Sequence, residues 1–222
     1  EEFRKLADEY NLWIIEDACH APGGYFVDSK GEKQFCGNGK FAELAIFSFH
    51  PVKHIAAGEG GMITTNNKDL YEKLLILRTH GIVKSNDAYK NTIEFAAGTS
   101  DVKGNDYPNW YMEMQMLGFN YRLTDFQAAL GTSQLKRADE GLARRREIAA
   151  VYEKAFNGKN YIKGQSGAVE GHAYHLYIIE AENRLGLYNY LRGKNIFAQI
   201  HYIPTHLMPY YKSFGWKEGD MP

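Results

Sequence analysis

Two short apolar runs that lie close together strongly limit how this chain can fold. Residues 44–49 have the length and composition of a buried strand, and a second apolar run follows at residues 62–65. Between them lie Lys53 and the glycine-rich stretch 57–61. The pattern predicts two neighbouring strands with Lys53 in their connection. A lone lysine in such a loop is normally a solvated surface residue, so its role depends on its neighbours.

An apolar run upstream of Lys53 predicts a carboxylate near it. Residues 12–21, LWIIEDACHA, predict a buried strand that ends at Glu16 and Asp17. Ligands of open α/β sheets bind beyond the carboxyl ends of the strands, so we expect Asp17 and residues 48–53 to face one pocket. A lysine that forms an imine and a carboxylate that keeps a pyridine nitrogen protonated are the groups that pyridoxal 5'-phosphate requires. That cofactor is therefore the predicted one.

Four motifs in this order carry a family resemblance. They are Asp17 with His20, Ser48 with Lys53, GEGGMITT at 58–65 and GFNYRLTDFQAALG at 118–131. From about residue 12 to residue 209 the chain resembles the DegT/DnrJ/EryC1 sugar aminotransferases, which are fold-type I pyridoxal phosphate enzymes. One motif alone would be weak, whereas four in the right order are specific.

The resemblance implies a fold and a domain plan. The fold is α/β, with a doubly wound, mainly parallel sheet in a partial large domain and a smaller α+β C-terminal domain. Residues 1–122 would form the C-terminal part of the large cofactor-binding domain. Residues 123–157 would form a long connecting helix, and residues 158–222 would form part of the small domain.

The resemblance also implies a role for each motif residue. Lys53 is the expected catalytic residue, which would hold the cofactor as an imine and then act as a general base. Asp17 would keep the pyridine nitrogen protonated. The remaining cofactor contacts would be His20 on the ring, Ser48 on the phosphate, and Asn120 on the phosphate bound by the other subunit.

Substrate contacts are expected from three further residues. Arg122 could pair with a nucleotide diphosphate, and His201 and His206 lie in the segment HYIPTHLMPYY, expected near the site entrance. The resemblance implies glutamate as amino donor, a UDP-linked 4-keto sugar as acceptor, and a homodimer with shared active sites. On the residues alone, Asn120 and Arg122 could equally cap a helix, and each histidine could be an ordinary polar residue.

Composition and motif content exclude several other classes. Lys and Arg total 26 against 27 Asp and Glu, so no basic face for nucleic acid is indicated. No apolar run approaches the length of a transmembrane helix, no secretory signal opens the sequence, and Cys19 and Cys36 are expected to be reduced thiols in a cytoplasmic protein.

A metal site and a serine hydrolase are also disfavoured. His50 and His54 are four residues apart and His20 could join them, but Pro51 interrupts any helical face and neither HExxH nor CxxC occurs. Ser48 lacks a GxSxG elbow. We therefore expect neither a metal nor a Ser48 nucleophile.

The other segments predict the elements around the site. Residues 23–39 suggest a loop or hairpin, residues 68–80 a helix capped by Asn66 or Asn67, and residues 124–156 a helical segment with Thr124 as N-cap. Residues 82–116 are irregular and suggest a wall or lid. Strands at 174–179 and 196–203, on either side of a helix at 183–193, suggest a βαβ-like small domain.

The ends suggest an internal piece of a longer protein, because the chain starts in a helix tail and stops after an aromatic-rich loop. Two alternatives follow. The piece could be a non-catalytic dimerisation or structural module that binds cofactor weakly or not at all, or the enzyme could have a different sugar specificity.

Overall fold

A computed structural model describes residues 1–102, 104, 106–164 and 169–221 of the chain. The chain divides into two compact units. The first consists of residues 1–147 and 170–175, and the second of the described residues within 148–169 and 176–222. The domain boundaries expected from the sequence, after residues 122 and 157, stay a prediction.

The first unit alternates helices with short strands. In chain order its elements are α1 (Glu2–Glu9), β1 (Ile15–Asp17), β2 (Tyr25–Val27), β3 (Lys33–Phe35), β4 (Leu44–Ser48), β5 (Gly61–Thr64), α2 (Lys68–Leu77), β6 (Ile82–Val83), a 3-10 turn (Asn86–Ala88), α3 (Ile93–Ala97), β7 (Glu113–Met114) and α4 (Asp125–Leu135). Helix α5 (Ala138–Phe156) begins in the first unit and ends in the second.

A three-stranded sheet with β4 in its centre organises the first unit. β1 runs parallel to β4, with Asp17 opposite Ile46, and β5 runs antiparallel to β4, with Ser48 opposite Gly61. The sheet within this chain is therefore mixed. Because β1 and β4 are parallel, Asp17 and Ser48 lie at the same edge, as the sequence predicted.

Strand β1 differs from its prediction. It covers residues 15–17, whereas the sequence predicted a buried strand within the run 12–21 that ends at Glu16 and Asp17. The strand ends as predicted, but the prediction of burial was wrong, because Trp13 and Ile15 are 65% and 59% exposed and, among the described residues, only β4 pairs with β1. The strands at 44–49 and 62–65 are confirmed as β4 and β5, and the hairpin within 23–39 is confirmed as the antiparallel pair β2–β3.

The helix caps predicted from the sequence are confirmed for α2 and α4. The Asn67 side chain accepts a hydrogen bond from the backbone of Leu70 and caps α2, and Gly81 follows the helix with φ of 71°. Thr124 caps α4 through a capping box with Gln127. The segment predicted as one helix at 124–156 is two helices. Between α4 and α5, the N–H of Arg137 donates to the carbonyl of Gln134, three residues back, which is a 3-10 bond and interrupts the α-helix.

The second unit contains β8 (Ile162–Lys163), β9 (Glu180–Ala181), α6 (Arg184–Gly193), a 3-10 turn (Thr205–Leu207) and α7 (Pro209–Lys212). β8 and β9 pair antiparallel, and Asn183 caps α6, so the helix prediction is confirmed. The strands predicted at 174–179 and 196–203 do not form. Neither segment has a pairing partner among the described residues, and Tyr174 and Asn195, at the start of the first segment and just before the second, have φ of 47° and 59°, outside the extended region.

No helix within the described residues has both the length and the apolar character needed to cross a membrane.

Candidate active site

Asp17 ends β1 and is held in its charged form. The N–H of Cys19 donates to Asp17 Oδ1 at 3.0 Å. The pKa of Asp17 lies below its usual value, first because of hydrogen bonds from the thiol and N–H of Cys19, and further because of positive charge on His20 and Lys53. Burial raises the pKa of the Cys19 thiol, so this group remains a hydrogen-bond donor at neutral pH. Asp17 is therefore a stable carboxylate that faces cationic side chains.

The loop between β4 and β5 positions Lys53. The N–H of Lys53 donates to the carbonyl of His50 at 2.9 Å, and the N–H of Ala57 donates to the carbonyl of Phe49 at 2.9 Å. The loop closes where the N–H of Phe49 reaches the carbonyl of Gly60, also at 2.9 Å. These bonds form a compact loop, so Lys53 emerges from a fixed backbone at the carboxyl end of β4.

The side chain of Lys53 is half-buried, and its ammonium makes no hydrogen bond or ion pair with any described residue. Its charge nevertheless acts on Asp17, Cys19, His54 and His175. The structure thus brings Asp17, His20 and Lys53 together as predicted. Ser48 lies at the same sheet edge, where its Oγ accepts from the N–H of His50 at 3.4 Å.

Two histidines that the sequence did not assign to the site complete this cluster. The ring centroid of His175 lies 4.1 Å from that of His20 and 5.5 Å from that of His54. Burial lowers the pKa of His54, and burial followed by the charges of His20 and Lys53 lowers the pKa of His175 to about 4. Both rings are therefore neutral at physiological pH.

The tautomer of His54 follows from its partner. His54 Nε2 lies 2.9 Å from the carbonyl oxygen of Ala173, which can only accept, so Nε2 carries the hydrogen and Nδ1 presents a lone pair. The Nδ1 atoms of both His54 and His175 are buried and have no hydrogen-bond partner among the described residues. Such unpaired buried atoms are costly, and a polar ligand at this place would satisfy them.

The segment 170–175 was missed because its place in the site depends on long-range contacts. The sequence HAYH at residues 172–175 carries two histidines, but its second half was interpreted as the start of a strand at 174–179. Arg145, on α5, binds the carbonyl oxygens of Tyr174 and His175, both at 3.2 Å. Two histidines in four residues next to a glycine were the available signal.

Asn120 and Arg122 lie before α4 and are exposed. Backbone pairing of Asn120 with Thr79 fixes its place, but neither side chain makes a hydrogen bond or ion pair with a described residue. His201 and His206 lie in the second unit, His201 against the ring of Tyr202 and His206 within a 3-10 turn. The substrate and phosphate contacts expected of these four residues stay predictions.

The fold and the comparisons with known proteins define the class of this protein. Its α/β structure matches an aminotransferase of Helicobacter pylori, PseC, involved in the biosynthesis of pseudoaminic acid, with a TM-score of 0.73 and 29% identity over 95% of this chain and 50% of that one. The predicted fold-type I aminotransferase class is thereby confirmed. The chain belongs to the DegT/DnrJ/EryC1/StrS aminotransferase family, whose profile matches residues 1–222.

Curated relatives agree with this assignment. An uncharacterized protein of Methanocaldococcus jannaschii is 39% identical over 100% of this chain and 54% of its own length. The UDP-4-amino-4,6-dideoxy-N-acetyl-beta-L-altrosamine transaminase of Campylobacter jejuni is 36% identical over 96% of this chain and 50% of its own length. The chain thus spans about half the length of the curated relatives it matches.

The aminotransferases of this family depend on pyridoxal phosphate, and the donor set of the cluster fits that group. Lys53 offers an amine without a partner among the described residues, and Asp17 offers a carboxylate that stays charged. His54 adds a buried Nδ1 atom that also lacks a described partner. An amine for an aldehyde and a carboxylate for a pyridine nitrogen are the two groups that the cofactor requires.

Proposed function

We propose that the enzyme containing this chain is a pyridoxal phosphate-dependent aminotransferase that moves an amino group from glutamate to the 4-keto carbon of a UDP-linked deoxy sugar. The observation that carries the proposal is the Lys53 ammonium, which is half-buried, has no partner among the described residues and acts on the charged Asp17. Family membership supports the same reaction class.

Each residue has a defined task in this proposal. When bound, pyridoxal phosphate supplies an aldehyde carbon that carries the amino group and a ring that accepts electrons. Lys53 Nζ would hold the cofactor at that carbon and, once the amine of the donor has displaced it, would move the proton at the reacting carbon of the substrate. Asp17 would keep the ring nitrogen protonated. Ser48 Oγ would donate to the phosphate, and His20 would pack against the ring.

Further contacts belong to the whole enzyme. Asn120 would donate to the phosphate bound by a second subunit, which makes a homodimer with shared sites part of the proposal. Arg122 would pair with the diphosphate of the nucleotide, and His201 and His206 would contact the sugar. The proposed enzyme works in the cytoplasm, where free cysteines such as Cys19 and Cys36 stay reduced.

The sugar is proposed from the named relatives. The relative from Campylobacter jejuni is named for a UDP-linked altrosamine, and the structure from Helicobacter pylori for pseudoaminic acid biosynthesis. We therefore propose a step of the pseudaminic acid type. Amination assays with UDP-linked and GDP-linked 4-keto sugars decide between this substrate and another specificity, and turnover of the GDP-linked sugar alone would reject the UDP proposal.

The full-length enzyme tests the role of Lys53 directly. Borohydride reduction with pyridoxal phosphate, followed by peptide mapping, is expected to place a covalent label on Lys53, and Lys53→Ala is expected to lose both the label and transamination. Lys68→Ala is the matched control, because the Lys68 side chain is 85% exposed and its ion pair is with Glu72, away from Asp17 in the sequence and on helix α2. A label that persists in Lys53→Ala would show that another amine carries the cofactor.

A further inference from the structure

The chain makes a return to the first unit at residues 170–175, which we call the returning segment. Its entry is fixed at Gly171, whose carbonyl accepts from the N–H of Tyr25 at 3.0 Å and from Arg146 Nη2 at 3.3 Å. Gly171 has φ of 81°, and a Cβ there would collide with the carbonyl of Tyr25. Arg146 Nε also donates to the carbonyl of His172 at 3.1 Å.

The end of the returning segment is fixed as firmly. Arg145 holds the carbonyl oxygens of Tyr174 and His175, and His54 holds the carbonyl oxygen of Ala173. Tyr174 is buried and has φ of 47°, a conformation that is strained for an aromatic residue. Strain of this kind persists only where surrounding contacts impose it, and it is common at functional sites.

These contacts have one result at the Lys53 site. They place the ring of His175 against the ring of His20 at 4.1 Å and within 5.5 Å of the ring of His54. The charged or titratable groups that act on His175 are His20, Lys53, His54 and Arg145. A neutral ring can pack among them, whereas a charged ring would be repelled by every cation in the cluster.

We propose that His175 is a positioning residue of the Lys53 site, whose neutral ring packs on His20 and holds that side chain where it meets the cofactor. The proposal rests on the proposed function, because His20 is expected to contact the cofactor ring. In this proposal the returning segment does more than stabilise the fold. Arg145, Arg146 and the turn at Tyr174 hold the imidazole ring of His175 at the Lys53 site.

Three variants of the full-length enzyme separate ring packing from hydrogen bonding. His175→Ala removes the ring, His175→Phe keeps a ring without nitrogen atoms, and His175→Asn keeps a polar group without a ring. The dissociation constant of pyridoxal phosphate, measured by titration, is expected to rise about tenfold in His175→Ala and His175→Asn, since a support for a binding side chain is lost. His175→Phe is expected to restore affinity to within about twofold of the wild type.

The results that would overturn the role of His175 differ from those that would reject the proposed function. Wild-type affinity in His175→Ala would overturn the inference, and so would rescue by His175→Asn as complete as rescue by His175→Phe. Thermal unfolding of each variant shows whether a loss reflects folding, and the comparison of Phe with Asn stands even if Ala does not fold. Failure of the wild type to label Lys53 would instead reject the proposed function.

A cofactor-free measurement completes the test. In the NMR titration of histidine rings in the cofactor-free enzyme, His175 is expected to protonate with a pKa of about 4. In Lys53→Met this pKa is expected to rise, because one of the cations that lower it is removed. A His175 pKa at the ordinary value of 6.5 would show that the ring does not lie in this cluster.

Discussion

A buried carboxylate shapes the irregular region 82–116. Glu113 accepts from the N–H groups of Lys90 at 2.8 Å and Asn91 at 2.9 Å, from Gln115 Nε2 at 2.8 Å and from the hydroxyl of Tyr111 at 3.0 Å. Burial alone would raise the pKa of Glu113, but these four hydrogen bonds outweigh it and lower the pKa to about 2. The backbone at Lys90 and Asn91 is thus held to β7 through the Glu113 carboxylate.

Glu113→Gln is expected to loosen this loop. The side-chain NH2 of glutamine would face N–H groups that now donate to a carboxylate oxygen. Because two donors cannot bond to each other, these groups would lose their acceptor. We expect a lower Tm and faster amide hydrogen exchange at Lys90 and Asn91. Glu72→Gln is the matched control, because the Glu72 side chain is 57% exposed and makes a surface ion pair with Lys68. Equal exchange rates in both variants would contradict the assigned role.

Sequence could predict the position of a residue where that position depends on the apolar runs next to it in the chain. Lys53 and Ser48 follow from apolar runs that form β4 and β5, and Asp17 follows from the end of β1. Glu113 and His175 could not be predicted in the same way. Their partners are other loops, and His175 meets His20 only because arginines on α5 bind the backbone around it.

Among the helices, α4 is linked to the loop that carries Lys53. The hydroxyl of Thr124 accepts from the N–H of Gln127 at 3.4 Å, and Gln127 Oε1 accepts from the N–H of Thr124 at 3.2 Å. Gln127 Nε2 also donates to the carbonyl of Glu59 at 3.1 Å, in the loop that carries Lys53. The cap of α4 therefore also tethers that loop.

Thr124→Ala is expected to lower the free energy of unfolding by about 1 kcal/mol, the usual effect of losing an N-cap oxygen. Thr124→Ser keeps that oxygen and is expected to stay close to the wild type. Urea denaturation measures both variants. If Ser is destabilised as much as Ala, the methyl group and not the cap would be the source of the effect.

Elements were predictable where their determinants are local. Asn67 and Thr124 were recognised because a cap and its helix are adjacent in sequence. Strands at 174–179 and 196–203 failed because an apolar run becomes a strand only beside a partner. The burial of β1 could not be predicted either. Its residues match a buried strand, but among the described residues it pairs with β4 alone.

At the scale of the molecule, histidines with lowered pKa values make the first unit sensitive to acid. Burial lowers the pKa of His54, His172 and His175, the last to about 4. In the unfolded chain these rings have the ordinary value of 6.5, so the unfolded state binds more protons between the two values. Stability therefore rises with pH through this window and is lost as pH falls from about 6.5 towards 4.

His175→Phe is expected to reduce this dependence on pH. The variant has one fewer ring that must stay neutral in the folded state, so its Tm is expected to fall less than that of the wild type between pH 7 and pH 4.5. Thermal denaturation at several pH values measures the difference. Parallel curves for the two proteins would mean that His175 does not contribute to the acid sensitivity.

A second loss of stability is expected at lower pH. Asp28 and Glu113 each have a pKa lowered to about 2, from ordinary values of 3.8 and 4.5, so their hydrogen-bonded carboxylates stabilise the fold above those values and lose that effect as pH falls towards 2. Histidines thus govern the first part of acid unfolding, and carboxylates govern the second.

The returning segment also affects how the protein is made. His54 and Ala173, which are joined by a hydrogen bond, lie 119 positions apart in the chain. Synthesis proceeds from the N-terminus, so Asp17, His20 and Lys53 leave the ribosome long before His175. A nascent chain halted before residue 170 would contain Asp17, His20 and Lys53 without His175, so this cluster can be completed only late in translation.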